Sequence, residues 1–81
     1  MKLIPVSETR RRMGGVSPMT DWRHRKTGLL PQSIEISKRK FDFEFEIDSI
    51  LRARAAGADD KAIRGLVEKL TAQRHCATEA A

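Results

Sequence analysis

A closely spaced set of glycine and proline residues in the first half of the chain defines one short helix with a marked start and a marked end. Ser17 is a favourable N-cap residue, and Pro18 follows at the first helical position, where a missing N–H group leaves no hydrogen bond unmade. Gly28 can adopt the left-handed conformation that ends a helix, and Pro31 prevents the helix from resuming. The sequence therefore predicts a helix of about ten residues between these boundaries.

The residues inside this predicted helix are mostly polar or cationic. Arg23, Arg25 and Lys26 follow a single aromatic residue, Trp22. A short cationic helix of this kind is typical of a recognition helix. We interpret Trp22 as a core residue that anchors the helix to the rest of the domain, rather than as an intercalating side chain, because an indole buries a large apolar area.

The length and cysteine content of the chain limit its architecture. Its 81 residues are enough for one domain with a small core. Its single cysteine, Cys76, excludes a disulfide within the chain and is typical of a reducing compartment. The first residues contain no apolar run that resembles a signal peptide or a membrane span. We therefore expect a soluble cytoplasmic protein without a membrane partner.

Basic residues are concentrated in the first half of the chain. The net charge is +5, and residues 1–43 contain ten of the sixteen Lys and Arg residues but only four of the eleven Asp and Glu residues. A surface with this charge neutralises phosphates and gains affinity from the release of counterions. The charge distribution favours a nucleic-acid partner, and a basic surface that only increases solubility is the alternative.

A first helix is predicted ahead of the cationic one, from about Val6 to Met13, where two glycines break it. Two short helices joined by a glycine turn, the second of them cationic, are the plan of a helix-turn-helix. Arg10, Arg11 and Arg12 are consecutive in the first helix, so they point in different directions and cannot all contact one ligand. Phosphate contact by one or two of them and a solvated helix face are both open interpretations.

After the cationic helix, the chain shows the alternation of apolar and polar side chains that is typical of β-strands. The alternating segments are residues 33–37 and residues 41–43. The predicted hairpin has its tip at Lys38, Arg39 and Lys40, where a turn normally contains Gly, Asn or Asp. Beside a recognition helix, such a basic hairpin is a wing that contacts a neighbouring groove or phosphate run.

Two further helices are predicted in the second half of the chain. The third begins at Glu44 and ends at Gly57, and the fourth is capped by Asp59. The fourth helix has an apolar face that consists of Ala62, Ile63, Leu66, Val67 and Leu70. This face packs either on the chain's own core or on another molecule. From His75 the periodicity is lost, and residues 75–81 are predicted to be a disordered tail.

Several of these features, taken together, carry a resemblance that extends from Ile4 to Arg54. They are the segment Gly15-Val16-Ser17-Pro18-x-Thr20, the pair Trp22-Arg23, the segment Gly28-Leu29-Leu30-Pro31, the basic wing, an aromatic at Phe41 or Phe43, and Glu46-Ile47-Asp48. In this order they resemble a MerR-like winged helix-turn-helix, and more closely the AlpA-like and excisionase proteins of phages and mobile elements. The implied fold is mainly α with a small β-hairpin: a winged helix-turn-helix over residues 1–56 and an extra C-terminal amphipathic helix over residues 57–74.

The resemblance implies a sequence-specific protein that binds double-stranded DNA in the bacterial cytoplasm. Such proteins include excisionases, also called recombination directionality factors, which bind attachment-site DNA beside a site-specific integrase and self-associate along it. The candidate DNA-binding residues carried over by position are Ser17, Met19, Thr20 and Arg23 with Lys26 in the recognition helix, and Lys38, Arg39 and Lys40 in the wing. Asp21 and His24 depart from the family, which usually has apolar or aromatic residues at these positions.

The residues of the chain also bear on functions other than DNA recombination. A small transcriptional regulator of the same fold is one alternative, and a protein-interaction module such as an antitoxin or adaptor that docks through its fourth helix is another. The sequence contains no Gly-rich phosphate loop, no nucleophile and base in a catalytic pattern, and no metal-ligand spacing. We therefore expect no enzymatic activity, no cofactor and no metal. RNA binding is less favoured, because the aromatic residues are expected to be buried.

Overall fold

The computed structural model describes the backbone of residues 2–80 and the side chains of residues 2–74. This part of the chain is a small α/β domain with four helices and a three-stranded antiparallel sheet. In chain order the elements are β1 (Leu3–Pro5), α1 (Val6–Arg12), α2 (Pro18–Lys26), β2 (Ile34–Ile36), β3 (Arg39–Phe43), α3 (Glu44–Ala55) and α4 (Asp60–Ala80).

Helix α2 begins and ends at the residues that the sequence predicted. The Ser17 side chain accepts a hydrogen bond from the backbone N–H of Thr20 at 3.2 Å, and Pro18 occupies the first helical position. Gly28 has a φ of 83° after the helix ends. A side chain at that position would be strained by this backbone conformation. The position is therefore suited to glycine.

The sheet contains one strand more than the sequence predicted. Strand β1, where the sequence predicted no strand, pairs with β3, and the strand order is β1-β3-β2. Ile4 lies opposite Asp42 in this pairing. A three-residue segment has too few residues to show a period of its own, so its conformation depends on its partner strand.

The hairpin turn lies one residue earlier than the predicted basic tip. Ser37 and Lys38 form the turn, while Arg39 and Lys40 belong to β3 and lie opposite Ile36 and Glu35. Both turn residues have a positive φ, 53° at Ser37 and 66° at Lys38. This combination is the backbone of a type I′ turn, whose twist matches that of the two strands. The tip therefore carries one cation, Lys38, and the other two lie along the strand.

The hydrophobic core is assembled from both ends of the chain. Its buried residues are Ile4, Leu30, Ile47, Ile50, Ile63, Val67 and Leu70. Because α4 supplies three of them, its apolar face packs on the chain's own core, which was one of the two alternatives. Ala62, predicted to lie on that face, is exposed instead. The predicted tail began at residue 75, whereas the backbone of α4 continues to Ala80; the side chains of residues 75–81 lie outside the described residues.

The consecutive arginines of α1 are held by carboxylates and a carbonyl of the domain. Glu8 accepts hydrogen bonds from Arg11 and Arg12, and Arg12 also donates to Glu44 at 3.0 Å. Arg10 donates to the Val16 carbonyl at 3.3 Å. The hydrogen bonds from Arg11 and Arg12 lower the pKa of Glu8 from 4.5 to about 2. These three arginines therefore stabilise α1 and attach it to Glu44 and to the Val16 carbonyl.

We expect the contribution of Glu8 to stability to depend on pH. A carboxylate with a lowered pKa stabilises the fold above the unfolded-state pKa of 4.5, and this contribution is lost as pH falls through the folded-state pKa of about 2. Glu8→Gln should therefore have a lower free energy of unfolding than the unmodified chain at neutral pH. This difference should shrink as the pH falls from 4.5 to about 2. Urea unfolding of both proteins across this range measures the effect. A difference that stays constant would contradict it.

Candidate nucleic-acid interface

Helix α2 has an exposed face that combines apolar and cationic side chains. Met19, Trp22, Arg23 and Lys26 are all exposed, and their spacing of three and four residues puts them on one side of the helix. Trp22 is 56% exposed, so the prediction that it anchors the helix in the core is wrong. Its ring lies 4.8 Å from the ammonium nitrogen of Lys26, a cation–π contact.

The opposite face of α2 is fixed to the domain by a buried charged cluster rather than by an apolar anchor. We call Arg25, Asp21, Asp42 and Thr9 the Arg25 cluster. Arg25 contacts both oxygens of Asp21, at 2.9 and 3.2 Å, and both oxygens of Asp42, at 2.7 and 2.9 Å. Thr9 donates a further hydrogen bond to Asp42. The cluster therefore joins α1, α2 and β3.

The guanidinium of Arg25 has no hydrogen-bonding capacity left for a ligand. A fifth hydrogen bond runs from its Nη1 to the carbonyl of Pro31 at 2.9 Å, so all five N–H groups are used. Burial lowers the pKa of Arg25, but the hydrogen bonds that Arg25 donates to the carboxylates of Asp42 and Asp21 outweigh this effect and raise the pKa above its ordinary value. Arg25 is thus a permanently charged structural residue, and its guanidinium is not available to a ligand as the exposed cations of α2 are.

The structure divides the basic residues of the first half of the chain into two groups. The first group is engaged by carboxylates or carbonyl groups of the domain: Lys2, Arg10, Arg11, Arg12 and Arg25. A second group is exposed and makes no ion pair with the carboxylates that the structure describes: Arg23, Lys26, Lys38, Arg39 and Lys40. All five residues in this second group were predicted to bind DNA. We call them the free cations of α2 and the hairpin.

A groove connects the exposed face of α2 with the hairpin. It has a volume of about 300 Å³ and is lined by Trp22, Arg25, Lys26, Gln32, Ser33 and Lys40. We call it the α2–β3 groove. Because Lys26 and Lys40 line the same groove, a cation of the helix and a cation of the hairpin belong to one concave surface.

One wall of this groove is held from the other side of the domain. Arg74 of α4 donates to the carbonyl of Gln32 at 3.1 Å and to the buried carboxylate of Glu46 at 2.7 Å. The side-chain amide of Gln32 donates to the carbonyl of Arg25 at 3.3 Å. The loop between α2 and β2 is therefore attached to α2 and to α4, which fixes the groove between two rigid elements.

The other predicted site residues have different environments. The hydroxyl groups of Ser17 and Thr20 are hydrogen-bonded to each other at 3.1 Å, so both contribute to the start of α2. Met19 is 63% exposed. Gln32 and Ser33 were not among the predicted site residues, because a loop of this composition carries no motif. The exposure of Trp22 was not predicted either, although its four-residue spacing to the charged Lys26 was an available signal.

Comparison with known proteins identifies no relative. No family model matches the chain, and no curated protein or solved structure is significantly similar to it. Among the described residues, no three His, Cys, Asp or Glu side chains are grouped so that they could hold a metal ion. No described helix is both long enough and apolar enough to cross a membrane. The properties of the α2 surface are therefore the basis for assigning a function.

Proposed function

We propose that this protein binds double-stranded DNA as a winged helix-turn-helix, with α2 in the major groove and the β2–β3 hairpin as the wing. Met19, Thr20, Arg23 and Lys26 face the bases and nearby phosphates, and Ser17 holds the start of the helix. The wing brings Lys38, Arg39 and Lys40 to the adjacent groove or phosphates. No cofactor or metal is required.

One observation carries this proposal: the free cations are grouped on α2 and the hairpin, while the other cations of residues 1–43 that lie in helices are engaged within the fold. A basic surface that served only solubility would not require this separation. Exposed, unpaired Lys and Arg on one concave surface are suited to a polyanion, because each phosphate that they neutralise releases counterions. The rigid attachment of α2 through the Arg25 cluster further supports sequence-specific reading, since base contacts require a fixed helix.

For the biological role, we propose a recombination directionality factor that acts beside an integrase in the bacterial cytoplasm and self-associates along the DNA. This role follows from the resemblance to excisionases. A small transcriptional regulator would use the same DNA surface and differs only in its target sites. A protein-interaction module that docks through α4 has less support, because Ile63, Val67 and Leu70 of that helix are buried in the core.

Selection of host genomic fragments on the purified protein tests both the proposed DNA binding and the proposed biological role. At near-physiological salt, we expect retention of short repeated sites beside an integrase attachment sequence. Retention of promoter sites would identify a regulator, and retention without sequence preference would identify a nonspecific architectural protein. Failure to retain any DNA would contradict the proposal.

Lys40→Ala should weaken binding to all duplexes to a similar degree. Lys40 is a flexible point charge on the strand, so its removal eliminates about one phosphate contact and flattens the slope of log affinity against log salt by about one unit. Titration of a labelled duplex at several salt concentrations measures the slope. Lys69→Ala removes an exposed lysine of α4 and is the matched control, with an unchanged slope. Equal slopes for the unmodified protein, Lys40→Ala and Lys69→Ala would exclude the hairpin from the interface.

A further inference from the structure

Trp22 is the most unusual residue of the proposed DNA surface. It is the only tryptophan of the chain, and more than half of its surface is exposed in a domain whose core is small. Phosphate binding requires cations and hydrogen-bond donors, but it does not require a large flat apolar ring. The indole therefore indicates a ligand with an apolar face of its own.

The surroundings of Trp22 narrow the chemistry of this ligand. The α2–β3 groove beside the indole has a volume of about 300 Å³, which is enough for one planar heterocycle together with its sugar. The side chains of Gln32 and Ser33 offer an amide and a hydroxyl for the polar edge of a ring. Lys26 and Lys40 offer positive charge for an attached phosphate. An aromatic face, polar edge partners and cations together match a nucleotide.

We infer that the α2–β3 groove holds one unpaired DNA base, stacked on Trp22, with its phosphate close to Lys40. In an intact duplex every base is covered by its neighbours, so this contact requires a base that is bulged, flipped or in a single strand. The inference rests on the proposed function, since the rest of the surface then binds the adjoining duplex. It adds to that function a preference for DNA with a locally exposed base.

The test compares three short labelled duplexes: one intact, one with a single bulged thymidine, and one with an abasic bulge. The two bulged duplexes have the same backbone charge and similar flexibility, so their difference isolates the base. We expect the thymidine bulge to bind roughly 5- to 150-fold more tightly than the abasic bulge, the range for stacking of one base on an aromatic side chain. Because Trp22 is the only tryptophan, its fluorescence should be quenched by the thymidine bulge alone.

Trp22→Leu should reduce the affinity ratio of the two bulged duplexes to about one, because an aliphatic side chain cannot stack. Phe45→Leu removes another exposed aromatic ring, 42% exposed and outside the groove lining, and should retain the ratio. Circular dichroism of both variants verifies that they are folded.

The outcomes separate this inference from the proposed function. If the intact duplex binds and the two bulged duplexes bind equally, the unpaired-base site is overturned and duplex binding stands. If no duplex binds, the proposed function is overturned, and titration with a thymidine oligonucleotide decides the inference. Quenching of Trp22 fluorescence by that single strand would support the site, and unchanged fluorescence would overturn it.

Discussion

Arg25→Met should destabilise the fold by about 3–5 kcal/mol, the range observed when one partner of a buried ion pair is removed. The substitution leaves the carboxylates of Asp21 and Asp42 buried without their shared cation, and methionine supplies none of the five hydrogen bonds that Arg25 makes. A domain of this size has a free energy of unfolding of about 5–10 kcal/mol. The variant should therefore retain little of its stability. Urea unfolding followed by circular dichroism measures the loss.

Arg23→Met is the matched control, because it makes the same substitution two positions earlier in the same helix. Arg23 is exposed and makes no ion pair with the described carboxylates, so the free energy of unfolding should change by less than about 0.5 kcal/mol. If the two variants lost equal stability, Arg25 would have no special structural role. The comparison separates cations that maintain the fold from cations that are available to a ligand.

Arg23→Ala should reduce affinity for the selected DNA site by about 1–3 kcal/mol, or about 5- to 150-fold. Arg23 lies on the exposed face of α2, where a guanidinium can donate two parallel hydrogen bonds to the O6 and N7 atoms of a guanine. Competition between the selected site and versions with single base changes measures the effect. A base contact would appear as relaxed preference at one position, and a phosphate contact as a uniform loss.

Arg52→Ala, which removes an exposed arginine of α3, is the control for this measurement and should leave the affinity within about twofold. If Arg23→Ala bound as tightly as the unmodified protein, α2 would not be the reading element. Because Arg23→Met is expected to remain stable, reduced binding at this position reports on the interface and not on unfolding.

The boundaries of the helices were predictable because they depend on local backbone chemistry. Ser17, Pro18 and Gly28 act through hydrogen bonds and dihedral angles within a few residues of themselves, so the sequence alone contains the necessary information. The same is true of the start of α4, where Asp59 caps the helix by accepting a hydrogen bond from the N–H of Ala62 at 2.9 Å.

The Arg25 cluster was not predictable, because its members become neighbours only in the folded chain. The spacing of Asp21 and Arg25 is that of an ordinary surface pair on a helix. What makes the pair buried is Asp42, seventeen residues beyond Arg25, and Thr9, thirty-three residues before Asp42. No local pattern links the three elements that carry these residues.

The error at Trp22 follows from the same cause. The sequence predicted that the indole of Trp22 points into the core, since tryptophan has the largest apolar surface in the helix. The charged cluster instead directs Asp21 and Arg25 inward, and Trp22 is rotated by about 100° from Asp21. Met19, Arg23 and Lys26 share its exposed face. The predicted cationic contacts therefore lie on the exposed side, and the aromatic residue lies with them.

Because the core combines Ile4 of β1 with Leu70 of α4, this chain is expected to fold only after nearly all of its described length has been synthesised. Ile4 of β1 and the apolar residues Ile47 and Ile50 of α3 cannot be buried against α4 before that helix has left the ribosome. The proposed affinity for DNA should therefore appear only when α4 has completed the core.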